Sequence, residues 1–276
     1  MKFFVQVFTL GCLLTLLSCG VQNPHEDKKI FRYNEVSAIG TLDPTFAKNQ
    51  AHIWAVSQLF EGLVRLDENL QVRPALAETW EISPDGLTYL FQLRPNVYFH
   101  KHAAFGQKET RMVNAFDFEY SLNRLMDPAL AAPGQWVMSR VEGIEALDSM
   151  QLKITLKHPF APFLGLLSMA YCSVVPREVI EHLGDAFGRQ PVGTGPFKFQ
   201  LWKPGVKMVF RKHPNYWMED EQGQALPYLD GLAIRFIADK QTAFMEFLQG
   251  NLEFVSGLDA SYKDEVLQAN GSLQER

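Results

Sequence analysis

The 276-residue sequence lacks the motifs that commonly identify an enzyme or a metalloprotein. It contains no HExxH, no GxSxG, no phosphate-cradling P-loop and no pair of cysteines at metal-binding spacing. His100 and His102 come closest to a metal pair, but no third ligand lies near them in sequence. Asp43 and Glu61 are isolated acids, for which structural hydrogen bonding is favoured over acid-base chemistry. We therefore expect no enzymatic activity, no metal site and no cofactor.

An excess of positive charge is also missing. The chain carries 26 Lys and Arg against 31 Asp and Glu, so its formal net charge is −5 at pH 7. Proteins that bind nucleic acid usually present a basic surface to the phosphate backbone. The charge balance therefore predicts no nucleic-acid partner.

Long apolar runs are confined to the first residues. Lys2 is followed by an apolar run over residues 3–17, which is shorter than the roughly 20 residues that a membrane-spanning helix needs. A basic start before a short apolar run predicts a signal peptide over residues 1–18. Leu16-Leu17-Ser18-Cys19 resembles a lipobox, so we expect Cys19 to carry lipid; a plain secretory signal with an incidental cysteine is the alternative.

Cysteine is scarce, with three residues in the whole chain. Cys12 would leave with the signal peptide and Cys19 would take lipid, so Cys172 would stand alone and no intramolecular disulfide is expected. Cys172 lies in an apolar run over residues 164–175, which favours a buried structural residue over a nucleophile. Residues 19–30 are predicted to form a lipidated N-terminus and tether.

The clearest structural pattern lies between residues 74 and 125. Ser83-Pro84-Asp85-Gly86 has proline and glycine placed for a type I turn, with apolar-rich runs on both sides. On the second run Tyr89, Phe91 and Leu93 alternate with more polar residues, which is typical of a half-buried strand. This predicts a β-hairpin whose aromatic side chains, including Trp80, are structural.

A helix is predicted to follow this hairpin after a polar loop. Asn114 can cap its start, and Asp127-Pro128 ends it. Apolar residues recur at i, i+3, i+7 and i+10, namely Ala115, Phe118, Leu122 and Leu125.

Other elements are predicted on either side of this region. Residues 49–66 form an apolar stripe that predicts one helix with Gly62 near its end. Residues 141–156 and 197–211 each predict a hairpin. Val192–Phe199 is predicted to be a tight turn that enters a strand, because Pro196 removes an amide that a phosphate-binding loop would need.

The same residues carry a resemblance to a known family. The order A-x-x-W-x-x-S-x-D-G-x-x-Y-x-F-x-L-R-x-x-V-x-F-H from Ala77, followed by N-A-x-D-F-x-Y-S-x-x-R from Asn114, resembles the bacterial extracellular solute-binding proteins of family 5. These are the peptide- and nickel-binding components of ATP-binding-cassette importers. The resemblance extends over about residues 31–258. It departs from the family at His100-Lys101-His102, where an acidic residue and a glycine usually follow the histidine.

The resemblance implies an α/β fold, namely a periplasmic-binding-protein-like lobe of class II, the dipeptide- and oligopeptide-binding type, with mixed sheets and flanking helices. Residues 31–258 correspond to the first lobe and residues 259–276 to the start of the crossing to a second lobe, which the chain is expected to lack. The implied function is capture of an oligopeptide or dipeptide on the periplasmic side of the cell envelope. The implied partners are a peptide ligand, the permease and ATPase subunits of an importer, and the membrane that holds the lipid anchor.

The resemblance also implies which residues face the ligand cleft. For each of them, packing or simple surface exposure is an alternative to ligand contact. The candidates are Ser37, Ala38 and Gly40 in the first loop, Lys48 and Gln50 at a helix entry, Trp136, Met169 and Tyr171, and Ser256 and Gly257 at the crossing to the second lobe.

Other functions remain open at this point. Within the family, nickel, haem or glycan ligands also occur, and the fold alone does not separate them from peptide. A surface lipoprotein that interacts with other proteins and takes no part in transport is a further alternative.

Overall fold

The structure, a computed structural model, describes residues 28–268 and residue 272. The strands are β1 (Ile30–Asn34), β2 (Val64–Leu66), β3 (Val72–Pro74), β4 (Ala77–Ile82), β5 (Thr88–Leu93), β6 (Val141–Ala146), β7 (Gln151–Leu156), β8 (Phe197–Lys203), β9 (Lys207–Lys212), β10 (Gly231–Arg235) and β11 (Phe254–Val255). The α-helices are α1 (Gln50–Ser57), α2 (Ala115–Met126), α3 (Phe163–Leu167), α4 (Arg177–Leu183), α5 (Lys240–Leu248) and α6 (Lys263–Val266). Short 3₁₀ turns connect several of them.

The largest sheet has strands in the order β11-β1-β10-β9-β8. β1 runs parallel to both of its neighbours, with Asn34 opposite Arg235 on one side and opposite Val255 on the other. The remaining pairs, β10 with β9 and β9 with β8, are antiparallel. Because parallel strands end at the same edge of a sheet, the segments that follow β1, β10 and β11 leave it side by side.

A second, antiparallel sheet has the order β4-β5-β7-β6. The predicted alternation on β5 is confirmed, since Tyr89, Phe91 and Leu93 are each no more than 2% exposed. Leu152 and Ile154 on β7 are buried on the same side, and α2 packs against β6 and β7. The predicted hairpin and the predicted helix therefore form one layered core.

Helix α2 begins and ends where the sequence predicts. The Asn114 side chain accepts a hydrogen bond from the Asp117 amide (3.2 Å), and the Asp117 side chain accepts one from the Asn114 amide (2.9 Å). This reciprocal capping box satisfies two amides that the helix itself leaves free. The helix ends at Met126, before Asp127-Pro128.

The predicted helix over residues 49–66 is wrong in its second half. The helix ends at Ser57, residues 58–59 form a turn, and the next regular element is the strand β2 from Val64, although Phe60 and Leu63 are buried as expected. Three carbonyls after the helix accept hydrogen bonds from distant segments: Phe197 N–H donates to Gln58, Gly195 N–H to Leu59 and Val174 N–H to Glu61. These tertiary bonds replace the helical ones.

The glycines of the residue 192–199 segment allow this close approach. A Cβ atom at Gly193 would lie 2.1 Å from the Leu59 carbonyl oxygen, and one at Gly195 would lie 2.6 Å from the Leu59 carbonyl carbon. The prediction of a tight turn that enters a strand is confirmed, because β8 begins at Phe197. Gly193 and Gly195 pack as backbone against the Leu59 backbone, which explains why a side chain is absent at these two positions.

Three predictions concern residues that the structure describes only in part or not at all. The predicted signal peptide (residues 1–18) and Cys19 lie outside the described residues, as does most of the tether over residues 19–30. Within the described part, none of the helices has the length and apolar character to cross a membrane.

Cys172 is 1% exposed, and burial raises the pKa of its thiol to about 12, which confirms the prediction of a structural cysteine.

Candidate ligand-binding site

The candidate site begins at the edge of the large sheet where β1 and β10 end. The buried Asn34 side chain joins the two strand ends, since its Nδ2 donates to the Ile237 carbonyl (3.1 Å) and its Oδ1 accepts from the Ile237 amide (2.8 Å). The Glu35 amide donates to the Arg235 carbonyl (2.8 Å). These bonds hold the edge in place below the loops that leave it. In open α/β sheets, ligands bind in the crevice outside the carboxyl ends of the strands.

The structure brings two pairs of predicted residues to this edge. Ser37 and Ala38 are exposed in the loop after β1, and Ser256 and Gly257 are exposed directly after β11. Gly257 has a φ of 72°, a left-handed conformation that favours glycine. Because β1 and β11 are adjacent and parallel, the two pairs leave the sheet as neighbours.

A pocket of about 540 Å³ adjoins the loop after β1, and we call it the α1 pocket. Its lining contains three of the predicted residues, Ala38, Gly40 and Lys48, and it has no acidic side chain. The full lining is Ala38, Gly40, Thr41, Phe46, Lys48, Asn49, His52, Ala131 and Pro133. The resemblance had indicated the first loop and the helix entry separately, and the fold joins them in one concave surface.

The start of α1 forms one wall of this pocket. The Asn49 side chain caps the helix by accepting from the His52 amide (3.0 Å), and Gln50, another predicted residue, is exposed beside it. His52 Nε2 in turn accepts a hydrogen bond from the Gly40 amide (2.9 Å), which ties the first loop to the helix. Burial lowers the pKa of His52, and the nearby Lys48 charge lowers it further, while the Phe46 carbonyl opposes them.

His52 was not predicted from the sequence. Its position three residues after the capping Asn49 places it on the first turn of the helix, which was a usable signal. Its contact with Gly40 depends on how the intervening loop folds back, and no local pattern contains that information.

The remaining predicted residues lie elsewhere. Trp136 is 52% exposed in a 3₁₀ turn, whereas Met169 and Tyr171 are partly buried against the main core. A Cβ atom at Gly134 would lie 2.3 Å from the Tyr171 ring, so this ring packs closely on the backbone of the loop before Trp136. Contact of these three residues with ligand stays a prediction.

An apolar groove that the sequence did not reveal lies on a face of the large sheet. Trp54 of α1 contacts Tyr33 of β1 and Phe254 of β11 edge-on, with ring centroids 6.4 and 6.2 Å away. The groove measures about 460 Å³ and is lined by Phe31, Tyr33, Trp54, Gln58, Leu229, Leu232 and Phe254. Phe254 is 41% exposed, so this aromatic surface is open to solvent.

The isolated acids have the structural roles that were predicted. Arg124 donates to Asp43 Oδ2 (2.5 Å), and the same carboxylate accepts from the Thr45 amide (3.0 Å). The buried Glu61 carboxyl accepts from the Tyr216 hydroxyl (2.8 Å) and from the Trp217 indole (3.1 Å). Burial raises the pKa of Glu61 to about 7, although these hydrogen bonds favour its charged form.

His100 is likewise a structural residue. Its Nε2 donates to the Gly195 carbonyl (3.0 Å), its Nδ1 accepts from the Gly193 amide (3.3 Å), and its ring lies edge-on to that of His213 at 4.7 Å. Burial lowers the pKa of His100 to about 3. Among residues 28–268 and 272, there is no group of three or more His, Cys, Asp or Glu side chains placed to hold a metal ion.

A mixed α/β lobe whose parallel strands end beside an open pocket has the architecture of a solute-binding protein. The sequence model of the bacterial extracellular solute-binding proteins, family 5 Middle, matches residues 71–275, and the chain belongs to this family. The periplasmic-binding-protein-like fold predicted from the sequence is thereby confirmed.

Three related proteins illustrate the range of ligands. The glutathione-binding protein GsiB of Escherichia coli O6:K15:H31 is 29% identical over 254 residues, which is 88% of this chain and 47% of that protein. The periplasmic binding protein DppA from Helicobacter pylori, solved with the peptide STSA, superimposes with a TM-score of 0.77 at 29% identity and covers 86% of this chain and 48% of its own. NikZ from Campylobacter jejuni, solved with Ni(L-His), superimposes with a TM-score of 0.72 at 26% identity; the match covers 85% of this chain and 44% of the NikZ chain. The chain thus spans about half the length of these relatives.

Proposed function

We propose that residues 31–258 supply the first lobe of a solute-binding protein that captures a dipeptide or oligopeptide for an ATP-binding-cassette importer. The observation that carries this proposal is the convergence of the loops after β1 and β11 at one sheet edge, beside the α1 pocket. Exposed backbone at such an edge can hydrogen-bond the main chain of an extended peptide, which is common to peptides of every sequence. The peptide bound to DppA and the glutathione in the name of GsiB support a peptide-like ligand.

The proposed location is the periplasmic side of the cell envelope, with lipid on Cys19 holding the protein to the membrane. The proposed partners are the permease and ATPase subunits of the importer, which would receive the ligand. Both follow from the family and from the N-terminal sequence pattern over residues 1–19. The tether over residues 19–30 would separate the folded lobe from the bilayer surface.

We expect the first lobe, residues 31–258, to bind peptide only weakly on its own. Ser37, Ala38, Gly40, Ser256 and Gly257 are exposed to water, so ligand hydrogen bonds there compete with solvent. Under such conditions each hydrogen bond contributes only about 0.5–1.5 kcal/mol net. Tight capture in proteins of this type uses closure of two lobes around the ligand, which excludes water.

Amide NMR of the isotope-labelled mature chain tests this proposal. A di- to pentapeptide pool at millimolar concentration should shift the amide signals of residues 36–40 and 256–257, with smaller effects on the β4–β5 hairpin, which serves as an internal control. The same titration with Ni²⁺ and L-histidine should leave those signals unchanged. Paramagnetic broadening at the sheet edge together with no response to peptide would instead favour a nickel complex, and an absence of response to both would refute the site.

A further inference from the structure

The β8–β9 hairpin differs in charge from the rest of the chain. The whole chain has a formal net charge of −5. Residues 197–212, which form the hairpin, contain no Asp or Glu but carry Lys198, Lys203, Lys207, Arg211 and Lys212. The hairpin is therefore a basic region in an acidic chain.

The strand register gathers these charges on one face of the large sheet. Met208 and Phe210 of β9 are fully buried in the core, so Lys207 and Arg211, which alternate with them, point to the opposite face. Residues that are directly opposite in neighbouring strands share a face. Three such pairs consist of two cations each: Lys198 with Arg211, Lys203 with Lys207, and Lys207 with Arg235 of β10. We call these five residues the basic face.

The charges of the basic face are poorly compensated within the protein. Like charges directly opposite each other destabilise a sheet. Among the described residues, Arg235 forms an ion pair with Glu246 at 4.0 Å, and the other four members form none. All four are exposed or half-buried, so a group from outside can reach them. A negatively charged partner would offset the repulsion.

The tip of the hairpin adds a concave surface and an apolar contact. A pocket of about 490 Å³ lies between Lys203, Lys207 and Arg235, and none of its described lining residues is acidic. Val206, which also lines it, is 56% exposed between the two lysines. Lysine can keep its ammonium group among lipid headgroups while an apolar neighbour reaches the acyl boundary. This combination suits an anionic lipid surface better than an acidic protein surface, which has no continuous apolar layer beneath its charges.

The entry of the chain into the fold lies close to this face. Arg211 is opposite Gly231, and Gly231 is opposite Ile30, the first residue of β1. Two strand spacings, about 10 Å, therefore separate Arg211 from the start of β1. A chain of the length of residues 20–29 spans at most about 35 Å. The proposed lipid on Cys19 would thus hold the hairpin within reach of the bilayer.

We propose that the basic face binds the anionic phospholipid surface of the membrane. Lys203, Lys207 and Arg235 surround a headgroup phosphate at the hairpin tip, and Val206 contacts the apolar boundary. The rest of the face extends the contact toward the tether. Such a contact orients the lobe on the bilayer, which a flexible tether alone does not. It goes beyond ligand capture and does not require lipid on Cys19.

Vesicle co-sedimentation of residues 20–276 tests the proposal, because this part contains every residue that the structure describes and carries no lipid. The probes are vesicles of phosphatidylcholine alone and of phosphatidylcholine with about 30 mol% phosphatidylglycerol. At low ionic strength the chain should bind the anionic vesicles and not the neutral ones, and about 0.5 M salt should release it. Equal binding to both kinds of vesicle would instead assign the contact to an apolar surface, and no binding to the anionic vesicles would refute the proposal.

Lys203→Gln combined with Lys207→Gln measures the contribution of the hairpin tip. Each Lys or Arg near an anionic surface contributes about fivefold to partitioning, so this double variant should bind roughly 10- to 30-fold more weakly. Lys108→Gln combined with Lys157→Gln, which removes two exposed lysines outside the hairpin, is the matched control and should stay within about twofold of the wild type. The tip lysines are opposite each other, so their removal relieves repulsion and should not lower the midpoint of urea unfolding.

The remaining outcomes overturn the proposal in distinct ways. An equal loss of binding in both double variants would show that net charge alone attracts the chain to the vesicles. Salt-sensitive binding to poly-glutamate without binding to anionic vesicles would assign the face to an acidic protein. Amide NMR shifts at residues 203–207 with inorganic phosphate, again without vesicle binding, would assign the pocket to a free phosphate ion. Since none of these measurements includes a peptide, their failure leaves the proposed ligand capture untouched.

Discussion

Replacing Phe91 with alanine tests whether the central hairpin is a core element or part of the ligand site. Phe91 is 0% exposed on β5, which lies between β4 and β7, and its ring stacks beside that of Tyr89 at 6.4 Å. The alanine variant loses the transfer free energy of the ring and leaves a cavity that the flanking strands can close only in part. We expect the free energy of unfolding to fall by about 3–5 kcal/mol.

The assay is urea-induced unfolding of residues 20–276, followed by tryptophan fluorescence. Gln92→Ala is the matched control, because Gln92 is the next residue on the same strand and points to the opposite, partly exposed face. It should cost far less than Phe91→Ala. Since whole domains have about 5–15 kcal/mol of stability, Phe91→Ala could leave the fold marginal, and Phe91→Leu then provides an intermediate variant. A cost below about 1 kcal/mol for Phe91→Ala, with ligand binding lost, would show that a binding residue had been mistaken for a core residue.

Three further predictions address the anchor, the buried acid and the affinity. Cys19→Ser should move the protein from the membrane to the soluble fraction and abolish metabolic lipid labelling; a wild-type protein without label would contradict the lipobox. Burial raises the pKa of Glu61 to about 7 from an ordinary 4.5, so its stabilising contribution is complete below pH 4.5 and is lost as the pH rises through 7. Relative to the wild type, Glu61→Gln should therefore gain up to about 3 kcal/mol in unfolding free energy between pH 4.5 and 8, and a pH-independent difference in urea unfolding would refute this. Calorimetric titration of residues 20–276 with a di- to pentapeptide pool should give no sub-micromolar binding, and such binding would falsify the account of an open half-site.

The parts of the fold that could be predicted have their causes close together in sequence. The β4–β5 hairpin follows from a four-residue turn and from alternation on β5, and α2 follows from the Asn114 cap and an apolar stripe. In each case the residues that specify the element also form it. The pattern is then sufficient, because tertiary contacts only reinforce the local preference.

The parts that could not be predicted depend on contacts between distant segments. Residues 58–63 have helical spacing of apolar residues, yet the amides of Gly195 and Phe197 take the carbonyls of Leu59 and Gln58, and the helix does not continue. The apolar groove depends in the same way on the parallel register that places Phe254 beside Tyr33. At the site, the resemblance indicated Lys48 and Gly40, but the contact that joins the loop to the helix passes through His52, which only the folded chain brings into place.

Structural residues differ from ligand-binding candidates in whether their polar groups already have hydrogen-bond partners within the chain. Asp43, Glu61 and His100 are residue types that occur in catalytic and metal sites, but here, as predicted, their polar groups are occupied by distant parts of the same chain. An unpaired buried donor costs about 1–3 kcal/mol, which explains why buried polar groups find partners within the fold. The ring of His213, which packs edge-on against that of His100, belongs to the same buried framework. Ser37, Ala38, Ser256 and Gly257 are in contrast exposed to solvent at the sheet edge, where a ligand can reach them.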